Sequence, residues 1–244
     1  MTTQAIILAA GRGSRLGEVT GRTPKPLIPV AGRPIIVHQL DGLLQAGIRS
    51  VAIVTGYLGH EIETELGNGS VAAATITYFR QEELNGSAKA LELAREFADN
   101  EPFIFSWGDI LVEPANYQRV VQASRFTGAA IAVNPVDDPA EGAAVYVDDP
   151  SGDGDVTNIV EKPAPGTSET PWNNAGLGVL PPAIWPIIEK LEPSERGEYD
   201  LTDAIATLVK NGRRVRAVPV EGPWFDIGTP ENLKEARRTF GGRP

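Results

Sequence analysis

Residues 5–16 read AIILAAGRGSRL. Ala5–Ala9 is a short, uninterrupted apolar run that stops at a glycine-rich turn, the pattern of a strand buried on both faces. Beyond the turn, Pro34 stands at a plausible first helical position. Ile36, Val37, Leu40, Leu43 and Leu44 then recur at helical spacing, and Gly47 closes the segment. Ser50–Thr55 (SVAIVT) reads as the next strand. Strand, long loop, helix and strand in this order imply a right-handed crossover and a parallel pair.

The alternation continues along the chain. Helices are predicted near residues 58–66, 87–98 and 116–125, and strands near 73–79, 103–107 (FIFSW) and 129–133. The pattern then changes. Residues 143–147 and 156–160 read as a hairpin joined by DDPSGDGD, and 176–180 as a further strand. Helices near 183–191 and 201–210, a strand at 214–218 and a helix near 231–239 complete the chain. The fold class expected is α/β: a Rossmann-like three-layer α/β/α arrangement with a mixed, mainly parallel central sheet and a small antiparallel part. No linker or repeat divides the 244 residues, so one domain is expected, with a first half of about 1–135 and a second of about 136–244.

Composition narrows the chemistry. The chain is 41% hydrophobic and 22% charged, enough to bury a core. Cysteine is absent, which excludes disulfides, thiolate metal sites and a cysteine nucleophile. The two histidines, His38 and His60, cannot build a multi-histidine metal centre and suit structural roles. No apolar run approaches the roughly 18 residues of a membrane span, and Ala5–Ala10 is too short for a signal peptide. A soluble, cytoplasmic protein is expected. The net charge of −10 argues against nucleic acid or an anionic membrane as partner. Yet residues 1–33 hold five cations (Arg12, Arg15, Arg22, Lys25 and Arg33) against one acid, Glu18. A cationic segment on an acidic body suggests a local anion site, although a solvated loop would carry the same charges.

Gly11 and Gly13 give the turn after the first strand the freedom to close backbone N–H groups on a phosphate. Two familiar phosphate motifs fail here. The dinucleotide fingerprint lacks its last glycine, because Leu16 stands there, and no Gly-Lys-Ser/Thr follows at the Walker interval. A plain glycine turn with surface arginines fits the same residues. Asp149–Gly154 imitates the start of a calcium loop, but its twelfth position is Val160 and strands flank it, so it reads as a hairpin turn.

LAAGRGSRL followed by TPKPLIPVAGRPIIVHQLDGLLQAGI resembles the signature of the sugar-1-phosphate nucleotidyltransferases, the NDP-sugar pyrophosphorylases of the glucose-1-phosphate thymidylyltransferase type. The resemblance continues through Gln81…Asn85-Gly86-Ser87-Ala88, Gly108-Asp109, Glu161-Lys162-Pro163, Asn174-Ala175-Gly176, Gly197–Asp203 and Trp224–Pro230, nearly the whole chain in the family's order. It implies transfer of a nucleoside monophosphate from an NTP, UTP or dTTP in preference, to a sugar 1-phosphate, with release of pyrophosphate and dependence on Mg2+. It also implies that Arg15 neutralises the leaving phosphates, that Lys25 holds the phosphates near the α-phosphorus and that Asp109 and Asp226 are the metal ligands. Leu8, Ala10, Gly11, Gly13, Gln81, Gly86 and Ser87 would bind the nucleotide. Gly142, Glu161, Lys162, Asn174, Arg196 and Trp224 would bind the sugar phosphate. Members of this family are often homo-oligomers.

These assignments make chemical sense. Phosphoryl-type transfer needs positioning and charge neutralisation more than bond-making by the protein. A phosphate monoester, with its second pKa of about 6, is already largely ionised and needs no general base. Two departures stand out: Asn85 where the family often has leucine, and Ala140-Glu141 where an aromatic or arginine usually precedes the glycine. Each candidate also has a plainer alternative, such as loop aspartates capping backbone N–H groups, Ser87 at a helix start and Arg196 in a polar loop. Two other functions stay open: a cytidylyltransferase acting on phosphocholine or another phosphorylated polyol, and a catalytically silent regulatory subunit that binds nucleotides or sugar phosphates. Glu161-Lys162-Pro163 and Asp226–Thr229 favour sugar over the first. Retention of Arg15, Lys25, Asp109, Lys162 and Asp226 argues against the second.

Overall fold

A computed structural model describes residues 2–13, 15–17, 21, 23–68 and 73–242. Arg22 and Glu18 of the cationic segment lie outside the described residues. The first half of the chain builds β1 (Gln4–Ala9), β2 (Pro29–Val30), β3 (Arg33–Pro34), α1 (Ile35–Gln45), β4 (Ser50–Thr55), α2 (Gly59–Leu66), β5 (Thr75–Arg80), α3 (Ser87–Leu93), β6 (Phe103–Trp107), β7 (Ile110–Val112), α4 (Ala115–Thr127) and β8 (Ala130–Pro135). The second half adds β9 (Ala143–Val147), β10 (Val156–Glu161), β11 (Trp172–Leu180), α5 (Trp185–Ile188), α6 (Leu201–Lys210), β12 (Arg216–Pro219), β13 (Trp224–Asp226) and α7 (Pro230–Gly241).

The main sheet runs β10-β9-β11-β6-β1-β4-β5, with β8 joining β11 and β12 joining β8. β6, β1, β4 and β5 are parallel neighbours, as the apolar runs imply. β11 runs antiparallel against β6 and β8, and β9 with β10 forms the expected hairpin. Alternation along β1 explains the three layers, because successive strand residues face opposite sides. Ile6 and Leu8 pack with α3, α5 and α6 residues such as Leu91, Ile188 and Ile205. Ala5, Ile7 and Ala9 pack with α1 and α4 residues such as Leu40, Leu43 and Val120. A third cluster, including Leu16, Ile28, Leu111, Ile227 and Leu233, fastens α7 to the segment that follows β1.

Several boundaries differ from the expectation. Pro34 lies in β3, one residue before α1, and the helix predicted over 183–191 shrinks to α5 behind a 3-10 turn, Pro182–Ile184. Pro186 lacks the amide hydrogen that would bond the Pro182 carbonyl in a helix starting at 183. β11 begins at Trp172, earlier than its apolar core suggests, because Asn173 and Asn174 are buried polar strand residues. The stretch 148–155 is the hairpin turn expected, with Asp149 Oδ1 accepting from the Ser151 N–H at 2.8 Å. His38 bonds the Val30 carbonyl at 2.9 Å, a structural contact. Among the described residues no helix is long and apolar enough to cross a membrane.

Candidate active site

β1 and β6 pair in parallel with Leu8 opposite Trp107, so their carboxyl ends open side by side. Open α/β sheets bind ligands at this edge. A cavity of about 1450 Å³ lies there, larger than the roughly 300–1,000 Å³ of a common small-molecule pocket. Its walls include Leu8, Ala10, Gly11, Gly13, Arg15 and Lys25 from the N-terminal segment, Gln81, Gly86 and Ser87 around the start of α3, and Asp109 after β6. The second half of the chain contributes Gly142, Glu161, Lys162, Asn174, Trp224 and Asp226 to the same cavity.

The cationic loop is shaped by Gly13, whose φ of +67° is left-handed. A Cβ there would also stand 2.6 Å from Cγ of Lys25, so glycine lets the lysine stem cross the loop. Lys25 opens a 3-10 turn and is nearly buried, and its ammonium donates to Asp109 Oδ2 at 2.9 Å. Arg15 is half exposed and pairs with Glu141 at 3.3 Å across the cavity mouth.

Asp109 and Asp226 meet through a short ladder absent from the expectation. β7 and β13 pair antiparallel with Asp226 opposite Ile110, and the Ile227 N–H donates to the Asp109 carbonyl at 3.0 Å. Asp226 Oδ1 is buried without a hydrogen-bond partner. Burial, and then the charge of Asp109, push the Asp226 carboxyl up to about 6, while Lys25 and Arg15 pull the other way and Glu141 adds to the rise. A Cβ on Gly228 would lie 3.1 Å from Arg15 Nη2 and 3.2 Å from Asp226 Oδ1, so glycine lets these groups approach without displacement. Among the described residues no group of three or more metal-binding side chains converges. Two carboxylates, one with an orphaned oxygen, fit Mg2+, which takes one or two carboxylates and fills its remaining positions with phosphate oxygens and water.

Among the cavity residues of the second half, Glu161 ends β10. Burial and then the Asp200 charge push its carboxyl up to about 7, against Lys162, a Thr202 hydrogen bond and Arg196. Lys162 adopts a left-handed φ of +41°, and its N–H donates to the Gly142 carbonyl at 2.8 Å. That strain is the kind a folded site holds in place. Asn174 is buried; its Oδ1 accepts from the Gly176 N–H at 3.1 Å, and its Nδ2 has no partner. The β11–β8 register shifts between Asn174 and Gly178, and the Ala175 carbonyl in this bulge accepts from Trp224 Nε1 at 2.9 Å. At Gly142 a Cβ would collide with Asn173 Oδ1, which accepts from the Ala143 N–H at 3.1 Å.

Around α3, Gln81 Nε2 donates to the Gly86 carbonyl at 3.1 Å and to Asn85 Oδ1 at 3.3 Å. Gly86 has φ +121°, and a Cβ there would collide with the main chain of Tyr199. Ser87 Oγ accepts from the Leu201 N–H at 2.8 Å, so this hydroxyl also anchors the start of α6.

Arg196 is the one candidate that the fold does not bring to the cavity wall. Its guanidinium donates to Asp200 at 2.8 Å and stands 3.7 Å from Glu161, two residues that do line the cavity. Asp200, which does line the cavity, and Glu141 were not among the expected residues. Neither was Gln39, a buried polar side chain on the apolar face of α1. That break in the apolar stripe was its only signal in the sequence.

The nucleotidyl transferase family profile matches residues 4–241. A low-salt glycan biosynthesis nucleotidyltransferase of Haloferax volcanii is 37% identical over 239 residues, covering 96% of this chain and 65% of the relative. A UTP–glucose-1-phosphate uridylyltransferase of the same organism is 35% identical over 241 residues, covering 96% and 95%. The chain thus spans about two thirds of the length of the first relative and nearly all of the second. A solved Bacillus anthracis structure, described as a glucose-1-phosphate thymidylyltransferase in complex with sucrose, superposes with a TM-score of 0.88 at 28% identity over 99% of this chain and 96% of that one. The fold is therefore shared with a solved protein over almost the whole chain, and this chain belongs to the nucleotidyl transferase family.

Proposed function

We propose that the protein transfers a nucleoside monophosphate from an NTP, UTP or dTTP in preference, to a sugar 1-phosphate, releasing pyrophosphate, in the cytoplasm. The observation that carries this reading is convergence. Arg15, Lys25, Asp109, Lys162 and Asp226, spread over most of the sequence, line one cavity large enough for two phosphorylated reactants. Relatives whose names specify glucose 1-phosphate with UTP or thymidylyl transfer support the substrate class.

In this reading, the half formed by about residues 1–135 holds the nucleotide and the half from about 136 to 244 holds the sugar phosphate. A phosphate oxygen of the sugar phosphate attacks the α-phosphorus in line, and the α–β bridging bond breaks with its electron pair leaving on pyrophosphate. Arg15 and Lys25 neutralise the phosphates on one side, and Lys162 grips the sugar phosphate on the other. Asp109 and Asp226 would hold Mg2+, which when bound offsets the charge of the phosphate oxygens. Gln81, Gly86 and Ser87 flank the base, with Leu8, Ala10, Gly11 and Gly13 beneath the nucleotide. Glu161 and the free Nδ2 of Asn174 offer an acceptor and a donor to sugar hydroxyls, beside Gly142 and Trp224. Arg196 acts through Asp200 and Glu161.

The test is pyrophosphate release across a panel of NTPs with sugar 1-phosphates, with CTP and phosphocholine included. Release with UTP or dTTP and a hexose 1-phosphate supports the reading. Release only with phosphocholine, or none anywhere in the panel with Mg2+ present, removes it.

A further inference from the structure

Gln39 lies on α1, is 1% exposed and reaches away from its own helix into the turn between β6 and β7. Its Nε2 donates to the Trp107 carbonyl at 2.8 Å and to the Ile110 carbonyl at 2.7 Å. These carbonyls flank Gly108-Asp109, so both amide hydrogens of one side chain bracket the residue that carries a site carboxylate. The oxygen of the same amide is buried without a partner, so the side chain is kept there for its donors.

We infer that Gln39 is a positioning residue that sets the spacing of the Asp109 and Asp226 carboxylates. The inference rests on reading that pair as the Mg2+-holding group. Ile110, one of its two acceptors, is the register partner of Asp226, and the Asp109 carbonyl accepts from Ile227. A shift of the bracketed turn therefore moves both carboxylates. The turn has little other latitude: the Gly108 N–H donates to the Leu8 carbonyl at 2.8 Å, and even a Cβ on Gly108 would stand 3.0 Å from that oxygen. A neutral amide suits the task. A lysine would bury a charge there, and an ionised glutamate would face two carbonyl oxygens. Without the amide, the two carbonyls would be left to find water, which rotates the turn.

The test uses the full-length protein and Mn2+ as the probe, followed by electron paramagnetic resonance, with and without a non-transferable UTP analogue. Turnover against Mg2+ concentration is measured in parallel. Gln39→Leu is expected to weaken Mn2+ binding about tenfold and to raise the half-saturating Mg2+ by a similar factor. Its KM for the sugar 1-phosphate stays within about twofold, as for an effect confined to the metal side. Gln39→Glu, which keeps the volume and in this burial carries a proton for one of the two carbonyls, falls between and covers the case in which the leucine variant does not fold. Leu43→Ala, a core truncation on the same helix, supplies a matched loss of melting temperature and leaves Mn2+ binding unchanged. Wild-type Mn2+ binding in both Gln39 variants, or equal weakening in Leu43→Ala, overturns the inference. Unchanged Mn2+ binding in Asp109→Asn and Asp226→Asn instead removes the metal reading, and the inference with it.

Discussion

The ammonium of Lys25 donates to Asp109 Oδ2 at 2.9 Å, with the lysine side chain only 10% exposed and the aspartate 28%. The pair joins the segment after β1 to the turn after β6, two parts of the chain that the parallel sheet already sets side by side. It places a cation and a carboxylate in contact at the point where phosphate and metal are proposed to meet. Incoming ligands would therefore exchange one set of charge partners for another without leaving a bare charge in the cleft.

Lys25→Met should separate these two contributions. Removing the cation leaves Asp109 partly buried and unpaired, with an expected stability loss of about 1–3 kcal/mol and a turnover loss of about a hundredfold or more. In Lys25→Met/Asp109→Asn the stability should recover while turnover does not. Urea unfolding and pyrophosphate release on the same preparations check both.

Asp226 offers the reverse combination. Burial and the neighbouring Asp109 disfavour its charge, so Asp226→Asn should keep or raise stability, by about 1 kcal/mol, while lowering turnover at least a hundredfold. Melting temperature and pyrophosphate release measure the two effects. A large stability loss would assign the residue a structural role.

Glu161 should make stability fall as pH rises. Its carboxyl is raised from 4.5 to about 7, so between these values the folded protein binds more protons than the unfolded chain. The contribution is fully present below pH 4.5 and is lost as pH rises through about 7. Burial sets this balance first, and Asp200, Lys162, Thr202 and Arg196 adjust it. Glu161→Gln removes the titration, so its stability relative to wild type should rise by about 2 kcal/mol between pH 5 and pH 8. Paired urea titrations across that range check the sign.

Glu141 and Arg15 form an exposed pair across the cavity mouth, of the kind that contributes little to stability. Glu141→Gln should leave the unfolding free energy within about 0.5 kcal/mol. With Arg15 released for the phosphates, the KM for the NTP should fall severalfold, a change that steady-state kinetics at low ionic strength would resolve.

What the sequence disclosed, and what it did not, follows from the range of each interaction. AIILA, SVAIVT and FIFSW are continuous apolar runs, and burial on both faces of a parallel sheet demands that pattern, so the strands holding the cavity edge were legible. The cations before residue 34 stood out because the rest of the chain is acidic. The β7–β13 ladder was not legible, since three-residue strands are too short to show a period. Gln39 is a polar residue within an amphipathic stripe, and only the tertiary fold supplies the carbonyls it serves. The pairing of Arg196 with Asp200, four residues on in the same loop, was not legible either, because it depends on how that loop folds.

The most direct measurement follows label from α-phosphate-labelled UTP or dTTP during incubation with hexose 1-phosphates and Mg2+. The expected result is label in a nucleotide sugar, with unlabelled pyrophosphate released in equal amount. Label that stays in the triphosphate across the panel, or that emerges as free nucleoside monophosphate, would contradict a cavity built to hold both phosphorylated reactants at once.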